Sequence, residues 1–504
     1  MKRKVLVMLL FVALLALPAF ASGDTETKKN EKVIRVAEQV PGLITPGSWD
    51  GQAFSFNTSI YEYLVEINPD TAALDPVLAT EWSTSDGTRW TFKLQKGVKF
   101  HDGTDFTSED VKFTLERTQD LKLGHLKQQD FSIVKSIETP DDYTVILNLK
   151  EPRPTFVYQL TDYNMAMLSS EYDYAQYGES KPMGTGPFKL VQYIPKESAS
   201  LAKNPKYWDP TLPKIDKLLI YFVPDVEARA SMLEAGRVDT VPYVSPNIQN
   251  RLAEIEGVSV ISPYQDQRFV AMNVDEKPWD DNRVRLAFKY AMDPQKIAKS
   301  VTQMNLGEGS QYNETPIMNL LAEHVEIPLR ERDLEKSRSL LAEAGYPDGV
   351  KVELYYASDQ AFSKELAQTL KELSAPAGFN LELNGFTRDI YLSQYWLNVP
   401  MSITTWGGRI DPSMILGLAF RGGGSWNESH LDDPVINDLI DAISEEINED
   451  KRNQYYAELQ QIFHEEGTVL NVQIPYLVAI SDKVINYRQP ITMIPQYKYM
   501  DIQK

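Results

Sequence analysis

The chain is 504 residues long, with 51 Lys and Arg against 71 Asp and Glu and a formal net charge of −20. At roughly 150 residues per domain this length suits about three domains or two large lobes, and 42% hydrophobic residues supply a core for them. The acidity disfavours nucleic-acid backbones and anionic lipid surfaces as partners. The absence of cysteine removes disulfides, thiolate metal sites, cysteine nucleophiles and a thioether-linked lipid.

At the N-terminus, Lys2-Arg3-Lys4 precedes an apolar run from Val5 to Phe20 that ends in Ala19-Phe20-Ala21. Basic region, apolar stretch and A-x-A site together predict a cleavable secretory signal over residues 1–21. The run falls short of the roughly 20 residues that cross a bilayer and contains Pro18, which argues against an anchor. Residues 22–32 read as a polar leader, and the mature chain is expected to be soluble, monomeric and periplasmic, without a lipid anchor.

Downstream the pattern is mixed α/β. Trp90 to Leu94 and Tyr143 to Leu149 alternate as half-buried strands, and between them Thr107-Ser108-Glu109-Asp110 has capping-box spacing ahead of a helix. A helix capped by Asp333 and stopped at Gly345 leads into a strand from Val350 to Tyr356. A second stripe of Phe362, Leu366, Leu370 and Leu373 closes at Gly378 before a strand with Phe379, Leu381 and Leu383. Helix and strand in alternation at this spacing predict parallel crossovers. Met401 to Thr405 reads as another strand. Two further helices follow, one opened by Asp433-Pro434 with Ile436, Ile440, Ile443 and Ile447, the other carrying Tyr455, Leu459 and Phe463.

Catalytic motifs are lacking. His101, His125, His324, His430 and His464 are scattered, and the chain contains neither a nucleophile elbow nor a phosphate-binding glycine loop. Gly422-Gly423-Gly424 reads as turn geometry, His101 as structural within Phe100-His101-Asp102-Gly103, and Gly186-Pro187 as a tight turn at a domain crossing. No metal site and no cofactor is expected.

Several ordered segments carry a resemblance. They are Leu74 to Trp82, Thr91 to Gly103, Phe106 to Val111, Gly184 to Phe188, Asn204 to Trp208, Glu234 to Asp239, Arg283 to Phe288 and Leu340 to Gly349. Together they resemble the family 5 extracellular solute-binding proteins, the peptide/nickel group that feeds ABC transporters. The resemblance implies a two-lobed α/β clamshell, non-catalytic, that holds a small solute between its lobes and delivers it to permease subunits. Lobe I would comprise residues 33–50, 184–268 and 480–504, with an insert domain over 51–183, and lobe II would run over 269–479. A chain that leaves lobe I and returns to it needs at least two crossings, which form a hinge.

The segment expected to line the cleft is Trp406-Gly407-Gly408-Arg409, just past a strand end where α/β sheets place their sites. Trp406 offers an apolar platform, Gly407 and Gly408 let a ligand approach backbone, and Arg409 presents a fork for a carboxylate. Asp411, before Pro412, reads first as a helix cap and second as a contact. Further candidates are Trp49 and Phe56, Tyr391 and Tyr395, and Trp426 with Asn427 after the glycine run. Peptide-binding members of the family commonly place an aspartate three residues after this tryptophan to hold the ligand ammonium. Here Arg409 stands there, so peptide, nickel chelate, a glutathione-like anion and oligosaccharide all stay open as ligands. A secreted hydrolase using two carboxylates and a holdase for unfolded periplasmic proteins are the alternatives from other classes.

Overall fold

A computed structural model describes residues 31–503 except 42–43, 48–53, 305, 308–309 and 493. The expected signal segment, most of the polar leader and Trp49 lie outside the described residues. Of the leader, Lys32 is tied down: its Nζ pairs with Asp501 at 2.7 Å and its backbone carbonyl accepts from Asp216 and Lys217.

Three main sheets organise the chain. A seven-stranded sheet runs in the order Val258–Ile261, Val478–Ser481, Thr240–Pro242, Val33–Glu38, Lys217–Phe222, Ser198–Lys203, Phe188–Ile194. A six-stranded sheet runs Gln311–Asn313, Val469–Pro475, Gln265–Met272, Met401–Trp406, Val350–Ala357, Phe379–Phe386. A four-stranded antiparallel sheet, built from residues 79–149, belongs to the insert. The expected parallel crossover is present, with Ser363–Ser374 joining Val350–Ala357 to its parallel neighbour Phe379–Phe386. These arrangements make a two-lobed α/β fold with an additional subdomain.

Two short connections carry the chain between the large sheets. Residues 262–264 lead from Val258–Ile261 into Gln265–Met272, and residues 476–477 lead from Val469–Pro475 back into Val478–Ser481. On both sides of the crossing the partner strands are antiparallel neighbours, so one two-stranded ribbon threads both sheets. At its bend the Tyr264 and Tyr476 rings stack with centroids 4.5 Å apart, and the Tyr476 N–H donates to the Tyr264 carbonyl at 3.0 Å.

Local chemistry accounts for most element ends. Thr107 and Asp110 form the capping box that opens Ser108–Gln119, and the Asp333 side chain accepts from Lys336 N at the start of Leu334–Glu343. Gly345 and Gly378 end their helices at φ of +97° and +106°. The helix Pro434–Glu445 buries Ile436, Ile440 and Ile443, but Ile447 lies beyond its end and is exposed. In Glu449–Glu466 the buried stripe is Tyr456, Leu459 and Phe463, so the inward tyrosine is Tyr456 and not Tyr455: the i, i+3, i+7 spacing decides.

The Gly184-Thr185-Gly186 run owes its glycines to close backbone approach. Gly186 N donates to Ile60 O at 2.9 Å, and a Cβ at Gly186 would sit 2.5 Å from that same oxygen. His101 is structural, its Nε2 paired with Gly186 O at 3.0 Å and its pKa lowered to about 4 by burial. Gly186→Ala should therefore cost about 1–3 kcal/mol by overpacking. The expected result in urea is a lower midpoint at unchanged slope, and an unshifted midpoint would show that the Ile60 segment gives way freely.

Candidate ligand cleft at the hinge

Beside the tyrosine bend lies a cavity of about 300 Å³ whose wall comes from both lobes. The seven-stranded side contributes Glu38, Arg229 and Tyr243, with Ser55 from the Phe54–Ile60 helix. The six-stranded side contributes Asp266, Arg388, Thr405, Gly407 and Arg409. Tyr476 from the crossing and Tyr487 and Tyr497 from the C-terminal segment close it. The wall thus carries three arginines, two carboxylates and five tyrosines. Polar groups of both signs converging in a recess are the usual make-up of a small-molecule site.

Of the residues singled out from sequence, Gly407 and Arg409 line this cavity. Arg409 Nη1 donates to the carbonyls of Gly407 and Gly408 at 3.2 and 3.3 Å, which steadies the side chain. Its charge also acts on Asp266 and on Asp162 of the insert. Trp406 points the other way. It is 6% exposed, donates from Nε1 to Glu428 Oε1 at 3.0 Å and packs edge-on against Phe269, so it belongs to the core behind the wall. Gly408 serves packing: a Cβ there would overlap Ile491 of the returning C-terminal segment.

The other candidates are held in structural arrangements. Asp411 is buried and accepts from Ser413 N at 2.8 Å and from the Tyr456 hydroxyl at 3.2 Å; the expected N-cap role is shifted by one residue, since Pro412 stands at the N-cap of Ser413–Ala419 and Asp411 precedes it. Tyr391 is buried with its hydroxyl 2.7 Å from Thr404 Oγ1, and Tyr395 stacks on Phe386 at 4.3 Å. Phe56 is fully buried against Tyr193, while its neighbour Ser55 reaches the cavity. Trp426 is exposed and leans on Trp396 and Trp406 outside the cavity lining, and Asn427 ties its own loop by donating to the Arg421 and Leu431 carbonyls. The run Gly422-Gly423-Gly424 is turn geometry, with Gly423 at φ +72°.

Sequence reasoning missed Glu38, Arg229, Tyr243, Asp266, Arg388 and Tyr476. One signal was available: Asp266-Gln267-Arg268 places two charges at the head of an otherwise apolar strand directly after Tyr264. Nothing local marks Glu38 or Arg229.

Both acids are buried. Glu38 is 4% exposed; Oε2 accepts from Ser55 N at 3.4 Å, and Oε1 has no hydrogen-bond partner. Burial pushes Glu38 up to about 7, against the Ser55 hydrogen bonds and the Arg229 charge. Asp266 is also 4% exposed, with Oδ1 unpartnered, and burial pushes it up to about 6 against the fields of Arg268 and Arg409. An acid raised by folding keeps a proton that the unfolded chain has already lost. Stability is therefore fullest below the unfolded value near 4.5 and falls as pH rises toward about 7. Glu38→Gln should flatten that decline by an amount on the order of 3 kcal/mol, read from urea melts between pH 4.5 and 7.5. Parallel pH profiles for the two proteins would show Glu38 already ionised in the fold.

The family model for "Bacterial extracellular solute-binding proteins, family 5 Middle" matches residues 73–427. Heme-binding protein A of Haemophilus influenzae is 28% identical over 473 residues, 85% of this chain and 83% of that one. Glutathione-binding protein GsiB of Escherichia coli is 30% identical over 390 residues, 74% and 71% of the two chains. The structure of the ABC transporter-associated periplasmic binding protein DppA from Helicobacter pylori with peptide STSA aligns at a TM-score of 0.79. It is 26% identical to this chain and covers 94% of it and 98% of DppA. With a model match over most of its length and a clamshell whose crossings flank a polar cavity, the chain belongs to the family 5 bacterial extracellular solute-binding proteins, the solute-capturing components of ABC importers.

Proposed function

We propose that this receptor takes a short peptide-like or similarly small solute with at least one anionic group, holds it at the hinge, and presents it to the inner-membrane permease subunits without turning it over. The single observation behind this reading is the hinge cavity, in which Arg229, Arg388 and Arg409 converge from both lobes. A volume of about 300 Å³ suits a ligand of a few residues and not a segment of unfolded protein, which weighs against a holdase. The glutathione-binding relative and the peptide complex support the same class. Export belongs to the reading as well, through the signal sequence, followed by life as a soluble periplasmic monomer starting at Ser22. The intact mass of protein from the periplasmic fraction should match residues 22–504, and a chain still starting near Met1 in the membrane fraction would overturn the export route.

Binding and closure are tested together. Titration with glutathione, a dipeptide panel and solutes that copurify with the protein should identify a ligand that reduces the radius of gyration in solution scattering and raises the melting temperature. At about 100 times its Kd it should add roughly 2.7 kcal/mol. Against that ligand Arg409→Ala should lose about 2–5 kcal/mol, because a buried anion is left without its partner. Affinity within about threefold of wild type, less than 0.7 kcal/mol, would reassign Arg409 to a structural role. A radius that does not change on saturation would remove closure from the mechanism.

A further inference from the structure

We infer that Asp266 is the cation acceptor of the cleft, the residue that receives a ligand's primary ammonium group. The inference rests on the reading of the hinge cavity as the solute site.

Buried carboxylates elsewhere in the protein have donors. Glu428 accepts from Ser402, Thr404 and Trp406 at 2.6, 2.7 and 3.0 Å. Glu314 has Oε1 unpartnered, but its Oε2 meets Arg330 at 2.9 Å and Lys289 at 3.3 Å, and Glu62 accepts from Tyr207 and Trp208. Asp266 breaks this rule. It is as buried as they are and lines an open cavity, yet Oδ1 has no donor and, among the described residues, no ion pair meets the carboxylate. The two nearest cations act on it only through their fields. Arg268 gives its terminal nitrogens to the Gln267 and Ala361 carbonyls, and Arg409 gives Nη1 to the carbonyls of its own loop. Leaving a buried carboxylate oxygen without a donor is costly, so it points to a partner that arrives from outside.

The character of that partner follows from the surroundings. Asp266 faces Arg268 on its own strand, Arg409 from the loop after Met401–Trp406, Tyr243 after Thr240–Pro242, and Tyr264 and Tyr476 at the crossings. Glu38 is the other acid of the cavity, and Tyr476 lies in the fields of both. The groups coupled to Asp266 are arginines and neutral phenols, and none of them donates to Oδ1. A neutral N–H from a ligand would supply a hydrogen bond but would leave the buried charge met only by the fields of Arg268 and Arg409. An ammonium supplies both. The cation would then sit beside the hinge, with the anionic part of the ligand toward Arg229, Arg388 and Arg409. Because a cation binds the ionised acid, affinity should fall about tenfold for each pH unit below about 6, the value to which burial raises Asp266. Glu38 titrates in the same cavity, so the slope must be compared between Glu38→Gln and Asp266→Asn.

The test uses the full mature chain and an enzymatic casein hydrolysate as probe, offered before and after N-acetylation, with bound species identified by mass spectrometry. The expected result is that wild type captures components bearing a free ammonium. Acetylation should reduce their capture at least tenfold, as should Asp266→Asn, while the unliganded melting temperature holds. Asp266→Glu should keep part of the capture. In titrations with a captured component, the loss below pH 6 should persist in Glu38→Gln and vanish from what binding Asp266→Asn retains. Equal capture by Asp266→Asn, equal capture of acetylated components, or capture of nothing would each overturn the assignment. Gly407→Trp, which fills the cavity, separates the two readings: if it captures as wild type does, the hinge cavity is not the solute site at all.

Discussion

The paired crossing at Tyr264 and Tyr476 is the constraint on which the rest of the molecule depends. Because Val258–Ile261 and Gln265–Met272 pair with Val478–Ser481 and Val469–Pro475 respectively, the strands stay hydrogen-bonded before and after they change sheets. Such a ribbon can bend at its joint, where the Tyr476 N–H to Tyr264 carbonyl bond holds the two crossings together, but cannot slide without breaking ladders in both sheets. On the proposed closing mechanism, this connection favours rotation about the stacked tyrosines, a hinge, over shear. A ligand that touches both walls at the joint gains contacts as the angle closes, and Asp266, Tyr243 and Tyr476 all stand within a few residues of it.

Buried charge divides the protein into scaffold and site. Glu428 is wrapped by Ser402, Thr404 and Trp406 and so fixes the back of the strand that ends in the cleft loop. Glu314, Lys289, Arg330 and His464 form a paired cluster inside the second lobe, and Glu66 holds Lys498 of the C-terminal segment at 3.1 Å. In each case charge is met by charge or by hydrogen bonds, as burial demands. In the hinge cavity the accounting is incomplete on both lobes at once, at Glu38 and at Asp266. Glu314 Oε1 and Asp411 Oδ2 are also without a partner, so it is the open cavity beside Glu38 and Asp266 that lets a ligand reach these two acids.

Much of the fold was legible because it is written locally. The Thr107 box, the Asp333 and Asp433 caps and the glycines at 345 and 378 sit where the chain needs them. The cleft was legible only to the level of a segment. Met401–Trp406 is covered on both faces, with Ser402 and Thr404 buried beside Met401 and Ile403, so its composition does not say which side chains point to the cavity. The segment was found and the parity missed: Thr405 and Gly407 line the wall, and Trp406 between them points to Glu428, as the twofold period of a strand requires. Ser55 and Phe56 repeat the lesson on a helix, where adjacent residues face about 100° apart. Glu38, Arg229 and Asp266 stand far apart in sequence and meet only through the crossing, so no window on the chain contains them together.

That geometry also changes what Arg409 means. Taken alone, an arginine where an acid is expected argues for an anionic ligand and against an ammonium. In the folded cleft it stands in the fields of two acids, Asp266 at the hinge and Asp162 of the insert, the latter itself paired with Lys127 at 3.1 Å. A carboxylate arriving at Arg409 must approach through a field that these acids have partly cancelled, and it does so most favourably when it brings its own positive charge to set against one of them. On the proposed reading of the hinge cavity as the solute site, the cleft selects for charge separation within the ligand, with the arginine and the aspartate reading opposite ends of the same molecule.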